Sequence, residues 1–471
     1  MAYAEQLLSK TMYQVDFHKP IHVHFIGIGG ISMSGLAEIL LSEGFTVSGS
    51  DMKASELTDH LKEKGAVIAI GQRAENITSP DLVVYTAAIR PDNPEFREAV
   101  DRGIPMLSRA DLLGELMNNY REAVNIAGTH GKTTTTSMIT NILLEASKDP
   151  TVSVGGSLDS IGGNVRIGGS DLFVAEACEY TNSFLSFHPT IAVILNVEAD
   201  HLDFFKDLDD IRKSFRRFVQ TLPQDERGLL VLNGDITDRS FFTEGMGCSV
   251  VTFGSSEDCD YSARDIVFDE LARASYTLLR SGREAGRVHL GVPGEHNVYN
   301  SLAAIAVADR LGIPLATTLK GLESYTGVRR RFEYKGKVNG FTILDDYAHH
   351  PQEITATLAA AARYPHRKIH VIFQPHTYTR TKALLPEFAE ALMAADEVIL
   401  ADIYAAREKN TIGISSADIG DLINTSGGRA VYIPTFEKIK QYVLETVQEG
   451  DLLITMGAGN VVDIADQLIS E

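Results

Sequence analysis

Cysteine is nearly absent from this chain: Cys178, Cys248 and Cys259 are three in 471 residues. An odd number with no Cys-x-x-Cys pair argues against a disulfide framework and against a zinc site built on thiolates. It fits a reducing compartment, so a cytoplasmic location is expected. Long apolar runs are missing as well. No stretch approaches the ~20 apolar residues that span a bilayer, and membrane insertion is not expected. Residues 1–19 have no basic start, no continuous apolar core and no small-residue cleavage site, so no secretory signal is expected. Positive charge is in deficit. A net charge of −20 argues against a general nucleic-acid binder, whose affinity comes from many lysine and arginine contacts to phosphate. An anion can be held here only by local devices: backbone N–H groups, a few aimed cations and divalent metal. Solenoid-length repeats and low-complexity tracts are also lacking.

What the chain does have is glycine-rich punctuation between strand and helix patterns. Hydrophobic residues make up 44% and charged residues 23%, the balance of a globular protein. The length predicts about three domains, and the alternating patterns predict an α/β protein with mainly parallel sheets. The densest stretch is Gly128-Thr129-His130-Gly131-Lys132-Thr133-Thr134. A short apolar segment, 123–127, precedes it as a buried strand. Met138, Ile139, Ile142 and Leu143 follow on one helical face. The glycines let several backbone N–H groups turn toward one anion, Lys132 adds a point charge, and Thr133 offers a hydroxyl to magnesium. The helix N-terminus adds its own attraction for phosphate. The loop is tighter than a Walker A sequence, with Ile126 where that pattern has its first glycine. A purely structural turn is the alternative.

Two further regions carry the same grammar. A strand over 22–26 leads into Gly27-Ile28-Gly29-Gly30-Ile31-Ser32 and an amphipathic helix. Asp51 follows about 20 residues on, where a dinucleotide-binding unit keeps its ribose ligand. Ser32 departs from the glycine pattern. The segment predicts a nucleotide-diphosphate site without implying nicotinamide; close helix packing is the alternative. Near the other end, 452–456 runs into Gly457-Ala458-Gly459-Asn460, so the third domain is also expected to be Rossmann-like.

Polar groups gather where strands end, which is where parallel sheets place ligands. Strands over 172–175 and 191–195 lead to Glu176, to Asn196 and to Asp200-His201. Glu176 with Thr133 suits magnesium; His201 is a less usual ligand. Asn297 and Asn300 share a helical face, and read either as capping or as recognition of a base or ribose. Arg329-Arg330-Arg331 is a cationic patch, either solvated or set to stabilise transferred charge. A strand over 341–344 ends in Asp345-Asp346-Tyr347-Ala348-His349-His350-Pro351, a metal site or a substrate-positioning cluster. Another over 369–373 leads to Gln374-Pro375-His376-Thr377-Tyr378-Thr379-Arg380.

Taken in order, these strings resemble the Mur ligase family across essentially the whole chain, most specifically in Gly-Thr-His-Gly-Lys-Thr and Asp-Asp-Tyr-Ala-His-His-Pro. The resemblance implies three domains. Residues 1–121 would form a Rossmann-like domain for the UDP-sugar, through Gly29, Gly30, Ile31, Ser32 and Asp51. Residues 122–327 would form the central P-loop domain for ATP and Mg2+. Residues 328–471 would form a Rossmann-like domain that closes over ATP and the amino acid. It implies ATP-dependent joining of L-alanine to UDP-N-acetylmuramate through an acyl phosphate, in peptidoglycan precursor synthesis, by a monomer or homodimer. ATP would be held by Gly128, Thr129, His130, Gly131, Lys132, Thr133, Thr134, Asn297, Asn300, Arg331 and Asp346. The catalytic set would be Lys132, Glu176, His201, Arg331 and Asp346, with Thr133, Glu176 and His201 on metal. His349, His376 and Arg380 would border the acyl and amino-acid pocket.

The chain departs from many relatives at two places. Glu176-Ala177-Cys178-Glu179-Tyr180 stands where they have Glu-Ala-Asp-Glu-Ser, and Thr377 stands where they have arginine. Three alternatives remain at this level: a ligase that recycles murein tripeptide onto the same sugar nucleotide, a nicotinamide-dependent oxidoreductase, and a non-catalytic nucleotide-binding regulator.

Overall fold

The computed structural model describes residues 13–201, 204–406 and 408–470. Residues 1–12, most of the stretch read for a secretory signal, lie outside them. By its internal contacts the chain divides into two compact units. One runs through Thr136 and takes in Leu143–Gly155 and Ser160–Thr252; the other comprises Ser137–Ile142, Gly156–Asp159 and everything from Phe253 onward.

The first unit begins with a five-stranded sheet. Its order is Val67–Ile70, Thr46–Asp51, His22–Ile26, Leu82–Tyr85, Met106–Ser108, and every pairing is parallel. This is the order of a Rossmann half-sheet. The strand order reverses beside His22–Ile26, and a ligand crevice opens at such a reversal. The helix Ile31–Ser42 starts directly from the glycine loop and buries Met33, Leu36, Ile39 and Leu40.

A second parallel set follows. Glu122–Ala127 lies between Ile191–Ile194 and Leu172–Ala177, with Leu229–Asn233 on the far side of Ile191–Ile194. These strands are buried on both faces, which is why they read as apolar runs. The strand expected over 172–175 continues to Ala177 and carries Glu176 into the ladder opposite Ile126. The strand expected over 191–195 stops at Ile194.

The second unit opens with an antiparallel meander, Tyr261–Phe268, Arg273–Arg280 and Arg283–Pro293, that mainly parallel sheets did not predict. Its polar and charged residues alternate with buried ones, as on a sheet wet on one face. The helix His296–Arg310 follows. A six-stranded sheet completes the unit in the order Glu333–Val338, Phe341–Asp346, Leu452–Met456, Ile369–Phe373, Glu397–Leu400, Ala430–Tyr432. Only the first pair is antiparallel. Asp345 and Asp346 are the last residues of their strand rather than the residues after it.

A buried ionic chain ties the amino-terminal rim of this sheet. His370 faces a Glu397 oxygen 3.0 Å from Nδ1 and an Asp451 oxygen 3.2 Å from Nε2. Arg367 forks onto Asp451 at 2.9 Å, the Arg429 guanidinium lies 2.8 Å from Glu397, and the Tyr442 hydroxyl donates to Glu397 at 2.8 Å. Asp451 and Glu397 are almost wholly buried. Removing one member of such a set leaves the others desolvated and unpaired. Asp451→Ala is therefore expected to destabilise this unit by about 3 kcal/mol, read as a lowered denaturant midpoint with unchanged slope.

Candidate active site

The Gly128–Thr134 loop leaves the carboxyl end of Glu122–Ala127 and enters the helix Lys132–Glu145, as strand, loop and helix were predicted to run. Met138, Ile139, Ile142 and Leu143 are all buried. Gly128 has φ +150°, and a Cβ there would sit 2.9 Å from the Leu195 Cβ, so close approach to the neighbouring strand requires glycine. Thr133 and Thr134 are half-buried in the first helical turn.

Lys132 does not extend into solvent. Its ammonium donates to the Gly128 carbonyl, to the Thr129 carbonyl at 3.1 Å and to Glu179 at 3.0 Å. Burial alone pushes the ammonium down, but Glu179, with Cys178 and Glu176, outweighs it and holds Lys132 above the usual lysine range. Glu179 is 2% exposed, and its other oxygen lies 3.8 Å from His201 Nε2. His201 sits at φ +52°, its backbone N–H donating to the Asp200 carboxylate at 2.7 Å. The Tyr180 ring lies against the imidazole with centroids 4.6 Å apart.

The carboxylate between Lys132 and His201 is thus Glu179; Glu176 was expected as a magnesium ligand with Thr133. Glu176 accepts the Gly155 N–H at 2.5 Å from within its strand. A signal for Glu179 did exist: with the strand running to Ala177, Glu179 is the first acidic residue beyond its carboxyl end. Tyr180, a departure from many relatives, has its place on the His201 ring.

At the first loop, Gly29, Gly30, Ile31 and Ser32 form the turn and the start of the helix, whose N-terminus has no side-chain cap. Ile31 and Ser32 are exposed. Those N–H groups suit an anion. Asp51 reaches this loop, but its carboxylate accepts the Gly29 N–H at 2.9 Å; it braces the turn as well as facing the crevice.

In the second unit, Asn297 lies inside the helix, so neither capping residue is needed: Glu295 occupies the N-cap position. Asn297 donates to the Pro293 carbonyl at 2.7 Å and accepts from Asn300 at 2.9 Å. Both amides are buried. Arg330 is structural, bound to Asp345 at 3.1 Å and to the Gly457 and Gly459 carbonyls at 2.6 and 3.0 Å. Arg331 lies 3.6 Å from Glu353 and over the Tyr347 ring at 5.3 Å. Asp346 accepts the Ala348 and Phe332 N–H groups at 2.7 and 2.8 Å. Burial raises it to about 6 against the pull of Arg331.

His349, His376 and Arg380 gather nearby. His349 Nδ1 is 3.1 Å from Glu353, a residue the sequence did not single out. The His349 and His376 rings are 5.9 Å apart, and His376 stacks on Tyr404 at 5.8 Å. Burial, with His349 and Arg380 as like charges, lowers His376 to about 4, so it is neutral at pH 7. His376 Nδ1 and Arg380 Nη1 are buried without a hydrogen-bond partner among the described residues. Buried polar atoms without partners are rare in folded proteins. Thr377, at φ +64° and ψ 146°, sets the backbone between them in a strained conformation.

Comparison with known proteins follows this geometry segment by segment. The Mur ligase family models match in order: the catalytic domain at residues 22–121, the middle domain at 126–308 and the glutamate ligase domain at 330–459. A UDP-N-acetylmuramate–L-alanine ligase of Lachnospira eligens is 59% identical over 460 residues, covering 97% of this chain and 100% of its own. One of Agathobacter rectalis is 56% identical, covering 98% and 100%. Among solved structures, the UDP-N-acetylmuramate–alanine ligase of Thermotoga maritima superposes with a TM-score of 0.78 at 31% identity, over 96% of this chain and 98% of its own. A murein peptide ligase of Psychrobacter arcticus gives 0.67 at 25%, over 96% and 98%.

Proposed function

The chain belongs to the Mur ligase family, and from that premise we infer that it joins L-alanine to the lactyl carboxylate of UDP-N-acetylmuramate, with ATP converted to ADP and phosphate, in peptidoglycan precursor synthesis. The observation that carries this reading is end-to-end identity of 59% with an L-alanine ligase; two solved murein peptide ligases are 25% and 31% identical, the second over 66% of this chain. The second glycine loop, with Lys132 paired to a buried carboxylate, is left unexplained by a nicotinamide oxidoreductase. The fold is a three-domain α/β ligase fold, and we place its boundaries at 1–121, 122–327 and 328–471. No described helix is long and apolar enough to cross a membrane; the cytoplasmic location stays part of the proposal.

The chemistry explains why these residue types are needed. A carboxylate is a poor acyl donor because oxide is a poor leaving group. The lactyl carboxylate oxygen attacks the ATP γ-phosphorus, the bond to the bridging oxygen breaks, and ADP leaves. The amine of alanine then attacks the acyl carbon, sheds a proton, and phosphate departs from the tetrahedral intermediate. No side chain becomes covalently attached. In the first step two anions must meet, so cations have to screen them. In this reading the N–H groups of Gly131 to Thr134 and the Lys132 ammonium take the phosphates. The Gly29–Ser32 turn takes the diphosphate of the sugar nucleotide, and the Asn297–Asn300 pair with Arg331 and Asp346 serves the nucleotide.

Magnesium fits the donors near Lys132. Among the described residues no cluster of His, Cys, Asp or Glu forms a self-sufficient metal cage. Magnesium does not need one: it commonly takes one or two carboxylates and completes its shell with waters and substrate phosphates. Glu179, Thr133 and His201 would hold it, and once there it would draw charge from the phosphoryl oxygens.

Arg380 is assigned to the carboxylate of alanine. With Thr377 in place of an arginine, it is the guanidinium of the 374–380 string. Neutral His376 beside it adds no positive charge against the incoming amine. Arg380→Ala is expected to raise the KM for L-alanine at least thirtyfold, about 2 kcal/mol for a charge-assisted hydrogen bond, with the ATP KM unchanged. Phosphate release from ATP, measured with UDP-N-acetylmuramate and either L-alanine or murein tripeptide, tests the whole reading. Turnover with tripeptide alone overturns it.

A further inference from the structure

We propose that Asn196 is a positioning residue that holds the phosphate loop in its anion-receiving shape. The ladder between Glu122–Ala127 and Ile191–Ile194 ends at the pair Ala127–Ile194. A glycine-containing loop that leaves a sheet ordinarily gives up its ladder partners. Here the pairing continues. The Leu195 N–H donates to the Ala127 carbonyl at 3.0 Å, and the Thr129 N–H donates to the Asn196 carbonyl at 3.3 Å. The Asn196 side chain then acts as the next rung. Its Oδ1 accepts the His130 N–H at 2.8 Å, and its Nδ2 donates to the His130 carbonyl at 3.0 Å. A primary amide offers the same donor–acceptor pair as a peptide group, so it reads the backbone of His130 as a neighbouring strand would.

The rung is itself braced on both sides. The Glu198 N–H donates to the Thr129 hydroxyl at 3.0 Å. Asn233, at the end of the next strand, donates to the Leu195 carbonyl at 2.7 Å. Two asparagine amides therefore carry the order of the parallel sheet past its last residues and into the loop. His130 stands two residues before Lys132, so fixing both polar atoms of its peptide framework fixes where the following N–H groups point. A loop that must be ordered by the incoming nucleotide binds it more weakly than one ordered beforehand.

This inference rests on the reading of Gly128–Thr134 as the ATP site. Asn196→Ala removes both bonds and adds no charge. It is expected to raise the ATP KM at least tenfold, with the KM for UDP-N-acetylmuramate within twofold of the parent. Asn196→Ser, which keeps an acceptor for the His130 N–H, is expected to fall between the two, and it is the variant measured should the alanine variant not fold. An ATP KM within twofold of the parent in a folded variant overturns the proposal. So does a UDP-N-acetylmuramate KM that rises in step with that for ATP, since general disorder would then be the cause. Lys132→Ala measured alongside keeps the two readings apart: if it leaves ADP formation intact, the loop is not the ATP site. If it abolishes ADP formation while Asn196→Ala changes nothing, only the role of Asn196 fails.

Discussion

Lys132→Ala is expected to lower kcat/KM for ATP about a thousandfold, roughly 4 kcal/mol of transition-state stabilisation, and to leave binding of UDP-N-acetylmuramate intact. The ammonium is fixed by two loop carbonyls and a carboxylate, so its charge is in place before any phosphate arrives and little reorganisation is needed. Alanine removes that charge and leaves Glu179 buried without its cation, so two like charges then oppose one another where ATP must sit. ADP release from ATP and calorimetric binding of the sugar nucleotide check the two halves of the result. Unchanged ADP formation refutes the phosphate role.

The second large effect separates two glutamates three positions apart. Glu179→Gln is expected to reduce kcat at least a hundredfold and Glu176→Gln less than fivefold. Glutamine preserves size, so the difference reports charge. Glu179 faces both Lys132 and His201; one Glu176 oxygen accepts the Gly155 N–H, a bond glutamine's carbonyl can still accept. Manganese binding in the presence of a non-hydrolysable ATP analogue gives a readout apart from turnover: affinity falls in the Glu179 variant and holds in the Glu176 variant. The opposite ranking returns the metal to Glu176.

Those two glutamates show where sequence reasoning reached and where it stopped. The buried parallel strands announce themselves because no face of them meets water, and the glycine loops because few other residues tolerate their backbone. Which acidic residue stands beside Lys132 depends on where one strand ends, and element boundaries are the part of a sequence reading that shifts by a residue or two. Ala127 and Ala177 pair across the sheet, and that pairing carries the strand past Glu176. Asn196 was visible only as a polar residue after a strand; its role depends on His130, which lies 66 positions away. Asn297 and Asn300 left capping and recognition equally open, and their mutual hydrogen bond needed the helix to be built first. Glu353 was hidden because an acidic residue in the first turn of a helix is ordinary in any sequence.

The six-stranded sheet has opposite roles at its two rims. His349, His376 and the Gly457 turn follow the carboxyl ends of their strands, while His370, Glu397 and Asp451 sit at the amino ends. The amino rim is locked by a closed set of charges in which each member needs the others. At the carboxyl rim, His376 Nδ1 and Arg380 Nη1 are buried with no hydrogen-bond partner among the described residues. With the amino acid received at the carboxyl rim, as proposed above, substitutions that alter which one is accepted fall apart from the charges that hold the amino rim together.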